Sequence, residues 1–327
     1  MTPRAQQVKL QEPQPPAAGF SNLSLKNENL ESAPAHATEG LVVAHHGVAV
    51  KVQWQAENIE MVRVSRKSGF LVGDRVYQED NKLKRLQRKT ELKRATTAGH
   101  TLSLAANIDL VGIVVAPKPE TKPTFVDQVI IASQAAGISN LLIVNKSDLP
   151  DFEPMILELQ RHYQDTIPVI ATCAHDPSSL ESLGQTIAHY GCGVFVGTSG
   201  VGKSSLVNAL KQDHSLEVGA LSEASGFGKH TTTTATLHPL RQGGEIVDTP
   251  GVREFIPVAI RPQEVAQYFP GFAEALKEDC RFNDCLHRKE PQCAVKAAVT
   301  SGHIDPSRYE SYLSMLEQTE KQTQPQW

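Results

Sequence analysis

Eight residues constrain this chain more than any others: Gly197-Thr198-Ser199-Gly200-Val201-Gly202-Lys203-Ser204. They follow the short apolar run GVFV (193–196) and lead into SSLVNALK (204–211), an apolar pattern at helical spacing. A strand, a glycine-rich turn and a helix, in that order, leave few folds open. The glycines let backbone N–H groups close around phosphate oxygens, and the helix N-terminus adds a favourable dipole. On that reading Lys203 reaches the β- and γ-phosphates, Ser204 binds Mg²⁺, and the residues from Gly197 to Ser205 line a nucleotide. The bland alternative is a glycine-rich turn with a fortuitous lysine; the flanking strand and helix argue against it.

The surrounding texture is α/β. LVGIVVAP (110–117) and NLLIVNKSD (140–148) are near-continuous apolar runs, as expected of parallel strands buried on both faces. Phe125 to Ala136 between them reads as an amphipathic helix. IPVIATCA (167–174) and EIVDTPG (245–251) repeat the pattern of a strand ending in a polar loop. Such alternation predicts a doubly wound domain with ligands at the carboxyl ends of its strands.

Two further motifs sit at such ends. Asp248-Thr249-Pro250-Gly251 follows a strand about fifty residues after the glycine-rich loop. There Asp248 would hold Mg²⁺, through water, and the Gly251 amide would sense a γ-phosphate. An isolated turn of these residues would mean little, since they are common turn formers. Asn145-Lys146-Ser147-Asp148 has the pattern of a guanine-reading loop. Its aspartate accepts both the ring N–H and the amino hydrogens of guanine, which adenine cannot offer. Asn145 would contact the base and the loop, and the Lys146 stem would cover the ring. Cys173 and Ala174, in ATCA (171–174), are the companion loop whose amides approach the guanine carbonyl. A chance lysine-containing loop is the alternative.

An ordinary G domain has its phosphate loop first and its base-reading loops last. Here 145–148 precede 197–204, which precede 248–251. The same site can form if the old termini are joined and the chain is opened elsewhere, as circular permutation allows. The magnesium motif then directly precedes the C-terminal region, which nucleotide state could pull upon.

Between the phosphate loop and Asp248 lies Ser225-Gly226-Phe227-Gly228-Lys229-His230-Thr231-Thr232-Thr233-Thr234. Glycine hinges and threonine hydroxyls suit a switch that contributes a Mg²⁺ ligand in the triphosphate state; Thr232 is the expected one. Val252 stands where many GTPases place a water-orienting glutamine, and it offers no hydrogen bond. His230 is the candidate for that task. The alternative is a histidine contacting protein or RNA.

Residues 1–38, rich in Gln, Pro, Ala, Ser and Asn, read as a disordered tail. Residues 39–100 hold short β-type runs punctuated by Gly47, Gly69 and Gly73-Asp74, the pattern of a small all-β barrel of the oligonucleotide-binding (OB) type. Near its end Lys82, Lys84, Arg85, Arg88, Lys89, Lys93 and Arg94 are concentrated, with Glu91 the one acid. On a chain of formal net charge −4 this cluster is a candidate RNA contact. A solvated strand face is the bland reading.

Residues 101–258 make the permuted nucleotide domain and 259–327 a small helical one, with helices expected at Gln263–Lys277 and Pro306–Lys321. The latter unit contains Cys280-x4-Cys285-x-His287-x5-Cys293. Three thiolates and an imidazole in fourteen residues suit a structural, tetrahedral Zn²⁺ that would replace a core too small to fold alone. No run of about 18 apolar residues and no secretory leader is visible, so a cytoplasmic monomer is expected.

Together, the permuted order, GKHTTTT (228–234), DTPGVREF (248–255) and the Cys3His cluster resemble the small-ribosomal-subunit-dependent GTPases known as RsgA. The likeness spans about residues 40–320. It implies an OB barrel, a permuted G domain and a zinc domain, with GTP hydrolysis stimulated by the small subunit late in that subunit's assembly. It also implies that the Lys82–Arg94 patch meets ribosomal RNA. The rival from another class is a GTP-gated RNA-binding module whose turnover is incidental. An ATPase with a zinc-ribbon domain conflicts with 145–148.

Overall fold

The computed structural model describes residues 33–34, 37–55, 58–95, 100–212, 235–249, 256–257 and 260–323. Seven strands open the described chain: β1 (Glu39–His45), β2 (Ala49–Gln55), β3 (Asn58–Arg63), β4 (Arg75–Glu79), β5 (Lys82–Arg85), β6 (Glu91–Ala95) and β7 (Thr101–Ala106). Alternate residues of β1 turn inward, and Val42, Val50, Val52, Phe70 and Val76 form their own small core. At Gly73 the backbone is left-handed (φ +91°), and a Cβ would lie 2.0 Å from the Ala106 carbonyl oxygen, so only glycine fits.

The parallel-strand domain follows, with β8 (Leu110–Val115), α1 (Pro123–Ala135), β9 (Ser139–Val144), α2 (Phe152–Tyr163), β10 (Val169–Ala171), α3 (Pro177–Tyr190), β11 (Cys192–Val196), α4 (Lys203–Leu210), β12 (Ala235–Pro239) and β13 (Glu245–Asp248). Its strand order is β10-β9-β8-β11-β13-β12, parallel except for β12. The strands β8, β9, β11 and β13 bury residues on both faces. On β8, Val111, Ile113 and Val115 pack under α1 and α2, whereas Leu110 and Val114 pack under α3 and α4. Gly112 leaves room for Phe195, whose ring would lie 2.6 Å from a Cβ there.

The two units share one sheet. β12 pairs with β1, Ala44 opposite Thr236 and His45 opposite Ala235, so the barrel strands extend the nucleotide domain's edge. A second sheet runs β14-β6-β7, where β14 is the two-residue strand Ile256–Pro257. The expected boundary between residues 100 and 101 therefore falls inside the β6–β7 pair, and Thr101–Ala106 keeps company with the barrel strands. The chain leaving the Asp248 motif likewise pairs with β6 before it enters the C-terminal region.

That region contains α5 (Pro262–Tyr268), α6 (Ala294–Thr300) and α7 (Pro306–Thr323). The single helix expected over Gln263–Lys277 is instead α5 followed by a bend and one 3₁₀ turn at Ala275–Lys277. Pro270 disfavours a helical residue before it and lacks an N–H, and Gly271 is left-handed (φ +87°). Phe269, Phe272, Tyr312 and Leu316 make the core here, joined by Ile131 from α1. Docking is completed by a buried polar triad. Arg308 donates to both carboxylate oxygens of Asp127 (2.7 and 3.0 Å), and the Tyr163 hydroxyl donates to Asp127 Oδ1 at 2.9 Å.

Candidate nucleotide site and metal centre

The glycine-rich loop links the fully buried β11 to α4 at the carboxyl ends of the parallel strands. Gly200 (φ +87°) and Gly202 (φ +101°) are left-handed. At Gly202 a Cβ would come within 2.2 Å of the Asn145 amide nitrogen, so the glycine is required by the neighbouring loop as well as by the turn. Asn145 Nδ2 donates to the Val201 carbonyl at 2.8 Å, while its Oδ1, also buried, has no partner among the described residues. Lys146 Nζ donates to the carbonyls of Gly200 (2.8 Å) and Lys118 (2.6 Å). The base-reading loop and the phosphate loop are thus one hydrogen-bonded structure, although 145–148 and 197–204 lie far apart in sequence. Lys203 Nζ donates to the Gly197 and Thr198 carbonyls at 2.7 and 2.8 Å.

Asp148 is exposed at the mouth of the site. The Cys173 thiol donates to its Oδ1 at 3.2 Å, and that hydrogen bond is the first cause holding its pKa below the usual carboxylate range. Burial and the same carboxylate push the Cys173 thiol up, so it stays a donor. The companion loop is itself fixed: Cys173 N–H donates to Ser179 Oγ, and Asp176 caps α3 through the Ser178 and Ser179 amides. Ala174 lies beside it.

Ser204 and Ser205 are exposed at the start of α4, and Asp248 is exposed at the end of β13, next to the strand that carries the phosphate loop. A hydroxyl and a carboxylate at adjacent strand ends fit a hard divalent cation held with a nucleotide. Gly251, His230, Thr232 and the rest of the 225–234 segment lie outside the described residues. Sequence reasoning missed the loop after β8, where Thr121 Oγ1 lies 3.3 Å from Thr198 Oγ1 and the Lys118 carbonyl receives Lys146. Its letters, PKPETK (117–122), match none of the nucleotide-binding patterns read from the sequence.

The Cys3His cluster assembles as spaced. The ligand atoms of Cys280, Cys285, His287 and Cys293 all lie within 4.8 Å of one another. His287 Nδ1 faces Cys293 Sγ at 3.3 Å and Cys280 Sγ at 3.6 Å, and burial lowers its pKa, favouring the neutral, ligating ring. Backbone N–H groups of His287, Ala294 and Lys296 point at the three sulfurs, 3.3 to 3.5 Å away. Donors aimed at sulfur suit thiolates, yet burial pushes Cys285 up to about 12 and raises Cys293. A bound cation resolves that conflict, and three sulfurs with one imidazole fit a tetrahedral metal ion.

The basic cluster is divided. Arg88 is committed inward, bidentate to the fully buried Asp74 at 2.6 and 2.8 Å and paired with Glu91 at 3.0 Å. Arg85 donates to the Gly69 carbonyl, and Arg94 Nε is buried. Lys82, Lys84, Lys89 and Lys93 are exposed. Lys84 and Lys93 have acidic neighbours, Glu79 at 4.0 Å and Glu91 at 3.5 Å.

The glycine-rich loop joined to the Asn145–Asp148 loop, with Asp248 on the neighbouring strand and Asn145–Asp148 first in the chain, is the arrangement of a circularly permuted GTPase. The chain belongs to the RsgA GTPase family, whose model matches residues 85–256. Small ribosomal subunit biogenesis GTPases RsgA from Pseudomonas putida strain F1 and Azotobacter vinelandii are each 39% identical to it, over 85% of this chain and 84% of their own. Among solved structures, YjeQ from Thermotoga maritima is 31% identical with a TM-score of 0.65, covering 86% of this chain and 98% of its own. YloQ, a circularly permuted GTPase, is 26% identical with a TM-score of 0.63, covering 90% and 98%.

Proposed function

We propose that this GTPase acts on the small ribosomal subunit during its maturation, as the names of its relatives state for them, and that the subunit stimulates hydrolysis. The observation that supports the guanine-nucleotide part is the hydrogen-bonded union of the 145–148 and 197–204 loops; on this reading Asp148 and Lys203 serve one nucleotide. Lys203, Ser204 and Asp248, with Mg²⁺, neutralise phosphate charge. Thr232 completes the cation's shell in the triphosphate state, the Gly251 amide reports the γ-phosphate, and His230 holds the attacking water. Zn²⁺ is the ion of the Cys280–Cys293 centre, a structural role because four protein ligands leave no open position.

Lys82, Lys84, Lys89 and Lys93 supply the barrel's contact with ribosomal RNA phosphates. Arg88 holds the barrel together instead. The protein works as a monomer in the compartment of the ribosome, the cytoplasm. No helix among the described residues is long and apolar enough to cross a membrane.

The test is GTP hydrolysis by the purified chain with and without purified small subunits. A large stimulation, absent with ATP and lost in Lys203→Ala, supports the reading. Nucleotide-dependent binding without stimulation would favour a GTP-gated RNA binder, which Val252 recommends because it cannot orient water. Neither binding nor stimulation would remove the subunit as partner.

A further inference from the structure

The sheet face beside Asp248 carries a polar pair with no part in the reading above. β12 and β13 run antiparallel, with Thr236 directly opposite Asp248 and His238 opposite Ile246. Directly opposed residues share a face, their Cβ atoms about 4.5–5.5 Å apart. His238 stands two residues from Thr236, hence on that same face, and its Nε2 lies 2.9 Å from Thr236 Oγ1. On the other side Thr236 faces Ala44 of β1, which has no polar side chain. His238 and Thr236 are both half-buried. The charged groups acting on His238 are Lys211, at the end of α4, and Asp248 itself.

We propose that Thr236 and His238 are positioning residues for the Asp248 carboxylate: His238 Nε2–H donates to Thr236 Oγ1, and the threonine hydroxyl donates to Asp248. This rests on the reading of Asp248 as a magnesium-binding group. Given the proposed threonine-to-carboxylate bond, the direction of the Thr236–His238 bond follows from the donor inventory. A carboxylate only accepts, so the threonine must direct its single hydrogen there. That leaves oxygen lone pairs for the ring, which must then carry its proton on Nε2. The reverse arrangement would aim lone pairs at an anion. Burial first, then Lys211, lowers the histidine pKa against the opposing pull of Asp248, which favours the neutral ring, the form with one donor and one acceptor nitrogen. Oriented this way, Asp248 meets the cation and its water without first losing rotamer freedom. Loss of such an outer partner typically costs 10–100-fold in metal affinity.

The experiment is a magnesium titration of the release rate of a fluorescent GDP analogue from the full-length protein. Thr236→Val and His238→Ala are expected to raise the half-saturating Mg²⁺ concentration about tenfold, with GDP affinity in EDTA unchanged. His238→Gln, whose amide nitrogen takes the place of Nε2–H, is expected to restore most of the loss. Asp248→Asn is titrated alongside. If Asp248→Asn shifts the midpoint while Thr236→Val and His238→Ala stay within about twofold of wild type, the positioning role is overturned. It is overturned too if His238→Gln is as impaired as His238→Ala. If Asp248→Asn itself leaves the midpoint unmoved, the magnesium reading fails first and the proposal falls with it.

Discussion

Replacing Asp127 by alanine tests how the C-terminal helices are held to the nucleotide domain. The carboxylate is wholly buried, and the Arg308 side chain that reaches it is 9% exposed. Arg308 also lies over the rings of Tyr163 and Phe269, 5.1 and 4.9 Å from their centroids, which fixes the guanidinium in place. Asp127→Ala would therefore strand a buried cation, at a cost of about 3–5 kcal/mol. It would also remove the acceptor of the Tyr163 hydroxyl, a loss of about 1 kcal/mol or more in isolation. These terms overlap, because both belong to one network. A net loss of about 4 kcal/mol is expected, roughly a thousandfold in the equilibrium that keeps α7 docked.

Urea unfolding followed by circular dichroism, with limited trypsin digestion to locate the loosened part, measures it. Early cleavage should fall in the region from α5 to α7. The paired change Asp127→Leu with Arg308→Met removes both charges and keeps apolar volume, so it should recover most of the loss. The reasoning is refuted if Asp127→Ala costs less than about 1 kcal/mol, or if the charge-free pair is no more stable than the single variant.

Other outcomes follow from single contacts. Gly202→Ala should abolish GTP binding measured by equilibrium dialysis, since its Cβ displaces Asn145 and the left-handed backbone strains. Cys173→Ser should keep guanine affinity and Cys173→Ala weaken it severalfold, read by GDP titration, because only the former retains a donor to Asp148. Chelation, or Cys293→Ser, should unfold the Cys3His unit while GTP binding persists, as circular dichroism and mass spectrometry of bound metal would show; metal affinity should fall with pH as protons compete for the thiolates. Glu245 has its pKa raised by burial first and by Asp109 second, so its ionisation opposes folding. Its contribution is intact below the unfolded carboxylate pKa and is lost as pH rises through the folded value. Glu245→Gln should accordingly raise Tm at neutral pH, with the gain vanishing near about pH 4.

The residues of the candidate site were legible because their chemistry is local. A phosphate loop needs its glycines, lysine and serine in one turn between a strand and a helix, and four metal ligands need short spacings around one ion. The order of the motifs likewise stands in the letters, and with it the permutation. Helix α7 lies over the expected span Pro306–Lys321, while the helix expected over Gln263–Lys277 overlooks Pro270 and Gly271, which end α5.

Tertiary structure alone decided where distant groups meet. Arg88 looked like one more cation in a run, and only the folded barrel brings the buried Asp74 to it. Asp127 and Arg308, 181 residues apart, carry no mark of each other in sequence. The pairing of β12 with β1 and of β14 with β6 depends on which strand edges hydrophobic burial leaves side by side. Short-range chemistry is written along the chain. Partners chosen by packing are fixed when the cores close, because a strand edge or a buried charge specifies that it needs a partner and leaves its address to the fold.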